Sequence, residues 1–291
     1  MDEQRDLGHR GGRRPSPSGA KARDDGPIGH NDCVSDLKIH RFGPEDGTPV
    51  LALHGLTGHG RRWRHLADGH LPRVRMIAPD LRGHGRSTWS PPWGIADQVD
   101  SLIDLLDAEV DERVIVVAHS YGGAIALHLA VRAPERVRAL VLLDPAMGLN
   151  PARMLEIADL TMRYPDYTDA AEARSEKVHG AWADVADDVL DEEMIEHLVE
   201  LENGRVGWRY AVPAVIASWG ELARPIVLPP ADLPTVLVQA MRVQPPYVTP
   251  ALRAALSEHL GDNLTVVEMD VDHMVANARP AEVAALIEKL L

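Results

Sequence analysis

Three short segments of this sequence carry residue types and spacings that could do chemistry. Val116-Val117-Ala118-His119-Ser120-Tyr121-Gly122-Gly123 runs an apolar stretch through a turn and directly into a helical pattern. A strand-to-helix turn this tight strains the serine backbone, so the positions two before and two after it must be small; here they are Ala118 and Gly122. The strain lifts the hydroxyl above the carboxyl edge of a sheet, where open sheets bind ligands. Ser120 is the candidate nucleophile; the plainer alternative is a serine that only caps the next helix. Attack on a carbonyl builds an oxyanion that needs two donors. One is the N–H of the residue after the nucleophile, Tyr121, and the other comes from the loop after an earlier strand. Leu53-His54-Gly55-Leu56-Thr57-Gly58 supplies that loop, with Leu56 as the second donor and glycines that allow close backbone approach. The nucleophile also needs a base that titrates near neutrality. Of the 14 histidines, His273 in Glu268-Met269-Asp270-Val271-Asp272-His273-Met274 has the position for it, between the last strand and the last helix.

Elements in a regular rhythm must hold these segments. Leu37–Phe42, Val50–Leu53, Val74–Ala78, Val114–Ala118 and Leu140–Leu143 read as strands. Gln98–Val110 and Ala124–Ala130 have helical spacing between them. Val114–Ala118 shows no polar alternation, as expected of a strand buried on both faces. From 149 to 230 the pattern is helical with no convincing strand. Strands resume at Val236–Val238 and Leu264–Val267, and Ala281–Leu291 makes a last helix. Alternation of this kind predicts an α/β fold with a mostly parallel central sheet flanked by helices and interrupted by one helical insertion.

Composition narrows the class. The chain has 291 residues, a formal charge of −14 and a single cysteine, Cys33. One domain with a large insertion fits that length. The acidic balance argues against nucleic acid and anionic lipid as partners. No apolar run approaches the ~20 residues of a membrane span. A lone cysteine cannot form an intrachain disulfide, which fits a reducing, cytoplasmic setting. Residues 1–32, rich in Gly, Pro, Ser, Arg and Asp, read as a disordered tail without a signal-peptide pattern.

Taken together, the elbow, the His-Gly turn and the late histidine resemble the α/β-hydrolase family, and within it the serine esterase and lipase branch. Asp80-Leu81-Arg82-Gly83-His84-Gly85-Arg86-Ser87 adds to the resemblance, matching a turn common in that family, and reads as structural. The resemblance implies a core of 33–148 and 231–291 and makes 149–230 the helical cap. Many relatives carry the triad acid in a G-x-x-D pattern after the strand that follows the cap. Here Ala240 and Val243 occupy those positions, and no Asp or Glu occurs between Leu233 and Glu258. Asp144, at the end of the strand before the cap, is the other location some members use; it keeps the order Ser120, Asp144, His273. Asp270 and Asp272 are weaker candidates.

On the substrate side, Trp89 and Trp93 flank Pro91-Pro92 after the Val74–Ala78 strand and are candidate pocket walls, with His119 beside the nucleophile. The acidic stretch Asp184, Asp187, Asp188, Asp191, Glu192 and Glu193 reads as a solvated helix face. No cofactor motif and no metal-site spacing occurs. The resulting expectation is hydrolysis of a small-molecule ester or lipid through an acyl-enzyme. The alternatives are the same triad acting on a thioester, C–C or N-terminal peptide bond, or a small-molecule receptor on the same fold.

Overall fold

The computed structural model describes residues 33–34 and 37–291, so the expected tail, residues 1–32, lies outside the described residues. Ten strands occur among the described residues: β1 (Cys33–Val34), β2 (Leu37–Phe42), β3 (Thr48–Leu53), β4 (Val74–Pro79), β5 (Val114–His119), β6 (Val137–Leu143), β7 (Leu198–Glu200), β8 (Val206–Trp208), β9 (Thr235–Ala240) and β10 (Leu264–Met269). Ten α-helices accompany them: α1 (Arg64–His70), α2 (Ile95–Glu109), α3 (Tyr121–Arg132), α4 (Pro151–Arg163), α5 (Ala170–Val178), α6 (Asp187–His197), α7 (Val212–Leu222), α8 (Pro250–Leu260), α9 (Val275–Ala278) and α10 (Pro280–Glu288).

Eight strands form one sheet in the order β1-β2-β4-β3-β5-β6-β9-β10. β1 and β2 are antiparallel to their neighbours, and every pair from β4 to β10 is parallel. Successive side chains of a strand point to opposite faces, and both faces here are buried. Leu51, Leu53, Val116, Leu140 and Leu142 pack with α2, α3 and α8 on one side. Val50, Ala52, Ile115, Val117, Val141 and Leu143 pack with α1 and α10 on the other. Burial on both sides is why these strands read as unbroken apolar runs.

The parallel register sets the functional geometry. Leu53 pairs with Ala118, His119 with Leu143, Leu143 with Val238, and Ala240 with Met269. Five strands thus end along one edge, and the loops that follow them are neighbours although they are far apart in sequence.

The segment between β6 and β9 departs from its expected all-helical character. Besides α4 to α7 it holds the antiparallel hairpin β7–β8, with Leu198 opposite Trp208 and Glu200 opposite Val206. Strands of three residues are too short for period-2 alternation to register. The available signal was Asn203-Gly204, the strongest short-range hairpin pair; Gly204 has a φ of 77°.

The Asp80 turn anchors the fold beneath this edge. The Asp80 carboxylate is buried and accepts the N–H groups of Gly60 and Arg86 at 2.7 Å and the His40 Nε2–H at 3.1 Å. Burial would raise its proton affinity, but His40 and the Arg86 N–H outweigh that and hold the carboxyl well below the usual range. Gly85 has φ 54°, and a Cβ there would lie 2.1 Å from Asp80 Oδ2, so glycine is required. Asp80→Ala leaves the buried Gly60 N–H and the half-buried Arg86 N–H without their acceptor and is expected to lose about 3 kcal/mol of unfolding free energy in a urea titration. A loss under about 1 kcal/mol would remove the turn's anchoring role.

Candidate active site

Ser120 follows β5 directly, with φ 53° and ψ −117°, and α3 begins at the next residue. A non-glycine residue in this region is strained and persists only where its surroundings over-determine it. They do so here. The Ser120 N–H donates to Leu143 O at 3.1 Å, and its carbonyl accepts the N–H groups of Gly123 at 2.9 Å and Ala146 at 3.1 Å. A Cβ on Gly122 would lie 2.6 Å from Leu53 O, so the small residue read as a steric need of the turn also lets β3 approach α3.

His273 stands in the loop after β10, and Asp144 follows β6. The ring donates from Nδ1 to Asp144 Oδ2 at 2.6 Å. Because a carboxylate only accepts, this bond places the proton on Nδ1 and leaves the Nε2 lone pair free to act as a base. Asp144 is 1% exposed, and its other oxygen accepts the Ala240 N–H at 3.2 Å. Ala240 is the residue standing at the glycine of the family's usual acid pattern, so its backbone serves the carboxylate that comes from β6. The two weaker acid candidates are engaged elsewhere. Asp272 accepts the backbone N–H of His273 at 2.7 Å, and Asp270 pairs with Arg242 at 2.8 Å.

The turn after β3 is held by its own histidine. The Gly55 carbonyl accepts the Gly58 N–H at 3.0 Å and the His54 Nδ1–H at 2.8 Å, while His54 Nε2 accepts the Leu81 N–H at 2.9 Å. The Gly55 carbonyl and the Leu56 N–H belong to one rigid peptide plane, so fixing the first aims the second. A Cβ on Gly55 would lie 3.0 Å from Ser120 Cβ, so this peptide abuts the serine. Tyr121 opens α3, and its N–H is among the first of that helix, which have no intrahelical partner.

The substrate-side candidates fall in different places. His119 is buried, and its Nε2–H donates to the His273 carbonyl at 2.8 Å, which makes it a support for the histidine loop. Trp89 and Trp93 line a cleft of about 610 Å³ against Trp208 and Tyr210, and none of Ser120, Asp144 and His273 lines it. A second cleft of about 570 Å³ lies between α4 and the loop after β9, walled by Leu149, Met154, Ile157, Val243, Pro245 and Tyr247; Ser120, Asp144 and His273 do not line it either, and Tyr247 is its link to them. The Tyr247 ring sits 4.3 Å from that of His273. Sequence reasoning missed Tyr247; the signal was an aromatic residue in the loop where the family's acid is absent.

The acidic stretch 184–193 needs correcting as well. It is not one solvated face: Glu193 is 4% exposed and lies in a cluster with Arg62, His59 and Lys177. Burial would raise its carboxyl, but those three groups hold it well below the usual range. No helix of the described residues is long and apolar enough to cross a membrane. Among the described residues no three His, Cys, Asp or Glu side chains group so as to hold a metal ion.

Comparison with known proteins places the fold in a family. The family model described as the alpha/beta hydrolase family matches residues 50–286. Lipase LipV of Mycobacterium tuberculosis (strain ATCC 25618 / H37Rv) is 52% identical over 258 residues, covering 89% of this chain and 98% of that protein. Among solved structures, a marine microorganism esterase superposes with a TM-score of 0.70 at 19% identity, covering 88% of this chain and 99% of that one. An M. tuberculosis esterase superposes with a TM-score of 0.67 at 22% identity, covering 89% of each chain. At such identities the two structures speak for the fold alone.

The buried histidines around the site make acid stability a test of the geometry. Burial holds His54, His119 and His197 well below their ordinary value of 6.5 and pulls His84 down to about 4. A base that binds its proton more weakly when folded leaves the unfolded chain with more protons between the two values, so stability rises with pH there. Between pH 6.5 and 4 the protein is expected to lose stability on acidification, by up to about 1.4 kcal/mol per pH unit for each such histidine. Thermal melts across that range check it; a Tm constant from pH 6.5 to 4.5 would mean these rings are not buried neutral.

Proposed function

The chain belongs to the alpha/beta hydrolase family, and on that premise we propose that it hydrolyses carboxylic esters through an acyl-enzyme on Ser120. One observation carries the assignment of roles: the 2.6 Å bond from His273 Nδ1 to the buried Asp144 carboxylate, next to a strained serine at the mouth of a helix. The 52% identical relative carries the name lipase, which favours an ester over a thioester, C–C or peptide bond and over a receptor.

In this reading Ser120 Oγ attacks the ester carbonyl carbon as its proton passes to His273 Nε2. Asp144 keeps the ring in the required tautomer and stabilises the imidazolium that forms. The N–H groups of Leu56 and Tyr121 receive the oxyanion. When the tetrahedral intermediate collapses, the C–O bond to the alcohol breaks and His273 returns the proton to the leaving oxygen. Water then attacks the acyl-enzyme with the same ring as base, and a second collapse frees the acid and Ser120.

Residues 149–230 serve as the cap, with α4 forming one wall of the substrate cleft beside Tyr247. The size and apolar walls of that cleft suit an acyl chain. The lone cysteine supports a cytoplasmic setting.

Hydrolysis of p-nitrophenyl esters from acetate to palmitate tests the reading. Ser120→Ala is expected to abolish turnover, and Asp144→Asn to lower kcat at least ~10²-fold because it favours the wrong tautomer. Near-normal activity in Asp144→Asn would remove that residue from the triad. Ile157→Trp narrows the cleft and is expected to lower turnover of long-chain esters relative to acetate. An unchanged chain-length profile would move the acyl site elsewhere.

A further inference from the structure

The turn that carries Leu56 has a second support, and it comes from the inserted segment. Thr57, the next residue, has φ 59°. For a β-branched side chain this left-handed conformation is an outlier that persists only under constraint. The constraint is on its carbonyl, which accepts the Arg62 Nη2–H at 3.1 Å and the His197 Nε2–H at 3.0 Å. His197 is the last residue of α6, and Glu193 lies one turn earlier on the same helix. The Glu193 carboxylate grips the Nε/Nη2 edge of Arg62, accepting Nε–H at 3.0 Å and Nη2–H at 2.6 Å, so Nη2 bridges Glu193 and the Thr57 carbonyl. His59 and Lys177 donate to the same carboxylate at 2.9 Å each. The Arg62 guanidinium therefore joins a buried carboxylate of the insertion to the turn beside Ser120.

We infer that α6 positions the oxyanion turn: His197 directly, and Glu193 through Arg62, hold the Thr57 carbonyl and so keep the Leu56 N–H aimed at the reacting carbonyl. This rests on the ester-hydrolase reading and on Leu56 as a donor. It makes the insertion part of transition-state stabilisation as well as a cover for the cleft. His197, Glu193 and Arg62 are positioning residues. They act on a charge that exists only in the transition state, so their loss falls on kcat and leaves KM nearly alone.

The test compares wild type, His197→Phe and His197→Gln on a p-nitrophenyl ester, with kcat normalised to titrated active sites. Phe keeps a ring against Trp208, whose indole stacks on His197 at 5.8 Å, and removes the donor. Gln restores an N–H near the position of Nε2. His197→Phe is expected to lose at least ~10-fold in kcat with KM within about threefold, and His197→Gln to stay within about threefold of wild type. Affinity for a trifluoromethyl ketone, whose hemiketal oxygen occupies the same donors, is expected to fall in step with kcat. A kcat for His197→Phe within about twofold of wild type, or equal losses in both variants, overturns the inference. If His197→Phe does not fold, Arg62→Lys is measured in the same way. Lysine keeps a charge for Glu193 but lacks the fork that also reaches Thr57, and an unchanged kcat there overturns the inference equally. Absence of Ser120-dependent turnover in wild type would instead remove the hydrolase reading beneath it.

Discussion

A carboxylate taken out of water must be paired or hydrogen-bonded, and Asp144 meets that requirement in a way that assembles the site. Its two oxygens take a backbone N–H from the end of β9 and the imidazole from the loop after β10. The residue itself directly follows β6, whose last position, Leu143, is in register with His119, just before Ser120. One buried charge thus ties three strand ends together. A carboxylate in water would fix the tautomer of His273 less firmly, because its attraction for the ring proton would be shared with solvent.

Backbone strain collects at the same edge. The non-glycine residues with positive φ among the described residues are Thr57, Ser120 and Asp144. They sit beside the proposed oxyanion donor, at the proposed nucleophile and at the proposed acid. Each is held by hydrogen bonds from other elements: Ser120 by Leu143, Gly123 and Ala146, Asp144 by Val238 and Ala240, and Thr57 by Arg62 and His197. The sheet and its packed faces supply the stability that keeps these conformations in place.

A second buried carboxylate, Glu193, does for the insertion what Asp144 does for the core. It gathers two cations and a histidine from both sides of the boundary between the segment 149–230 and the rest of the chain. Removing one partner of such a cluster leaves an uncompensated charge in a dry place, which is far costlier than the cluster's own net contribution to stability. Burial also pulls the Lys177 ammonium down to about 8, with Trp182 and Trp208 ring centroids 4.4 Å and 4.2 Å from its Nζ. The two carboxylates differ in what they align: Asp144 the proposed base, Glu193 the proposed oxyanion turn.

Much of this was legible in the residues themselves. Ser120 could be read because a strand, a small-x-Ser-x-Gly turn and a helix lie within a dozen consecutive positions, so steric rules act locally. The parallel strands could be read because burial on both faces leaves unbroken apolar runs such as Val114–Ala118. Asp144 emerged by its place at a strand end once the usual position was found to hold Val243. The hairpin β7–β8 was hidden by the shortness of its strands. Glu193 looked like its exposed neighbours because nothing along the chain tells which face of an acidic helix meets Arg62, 131 positions away. His119 and Tyr247 gained their places against His273 only when β5, β9 and β10 came into register. Sequence by itself determined what depends on neighbours along the chain: strands, the elbow and the types of the reacting groups. Tertiary structure alone decided which polar groups share a buried partner, because desolvation and hydrogen bonding act through space.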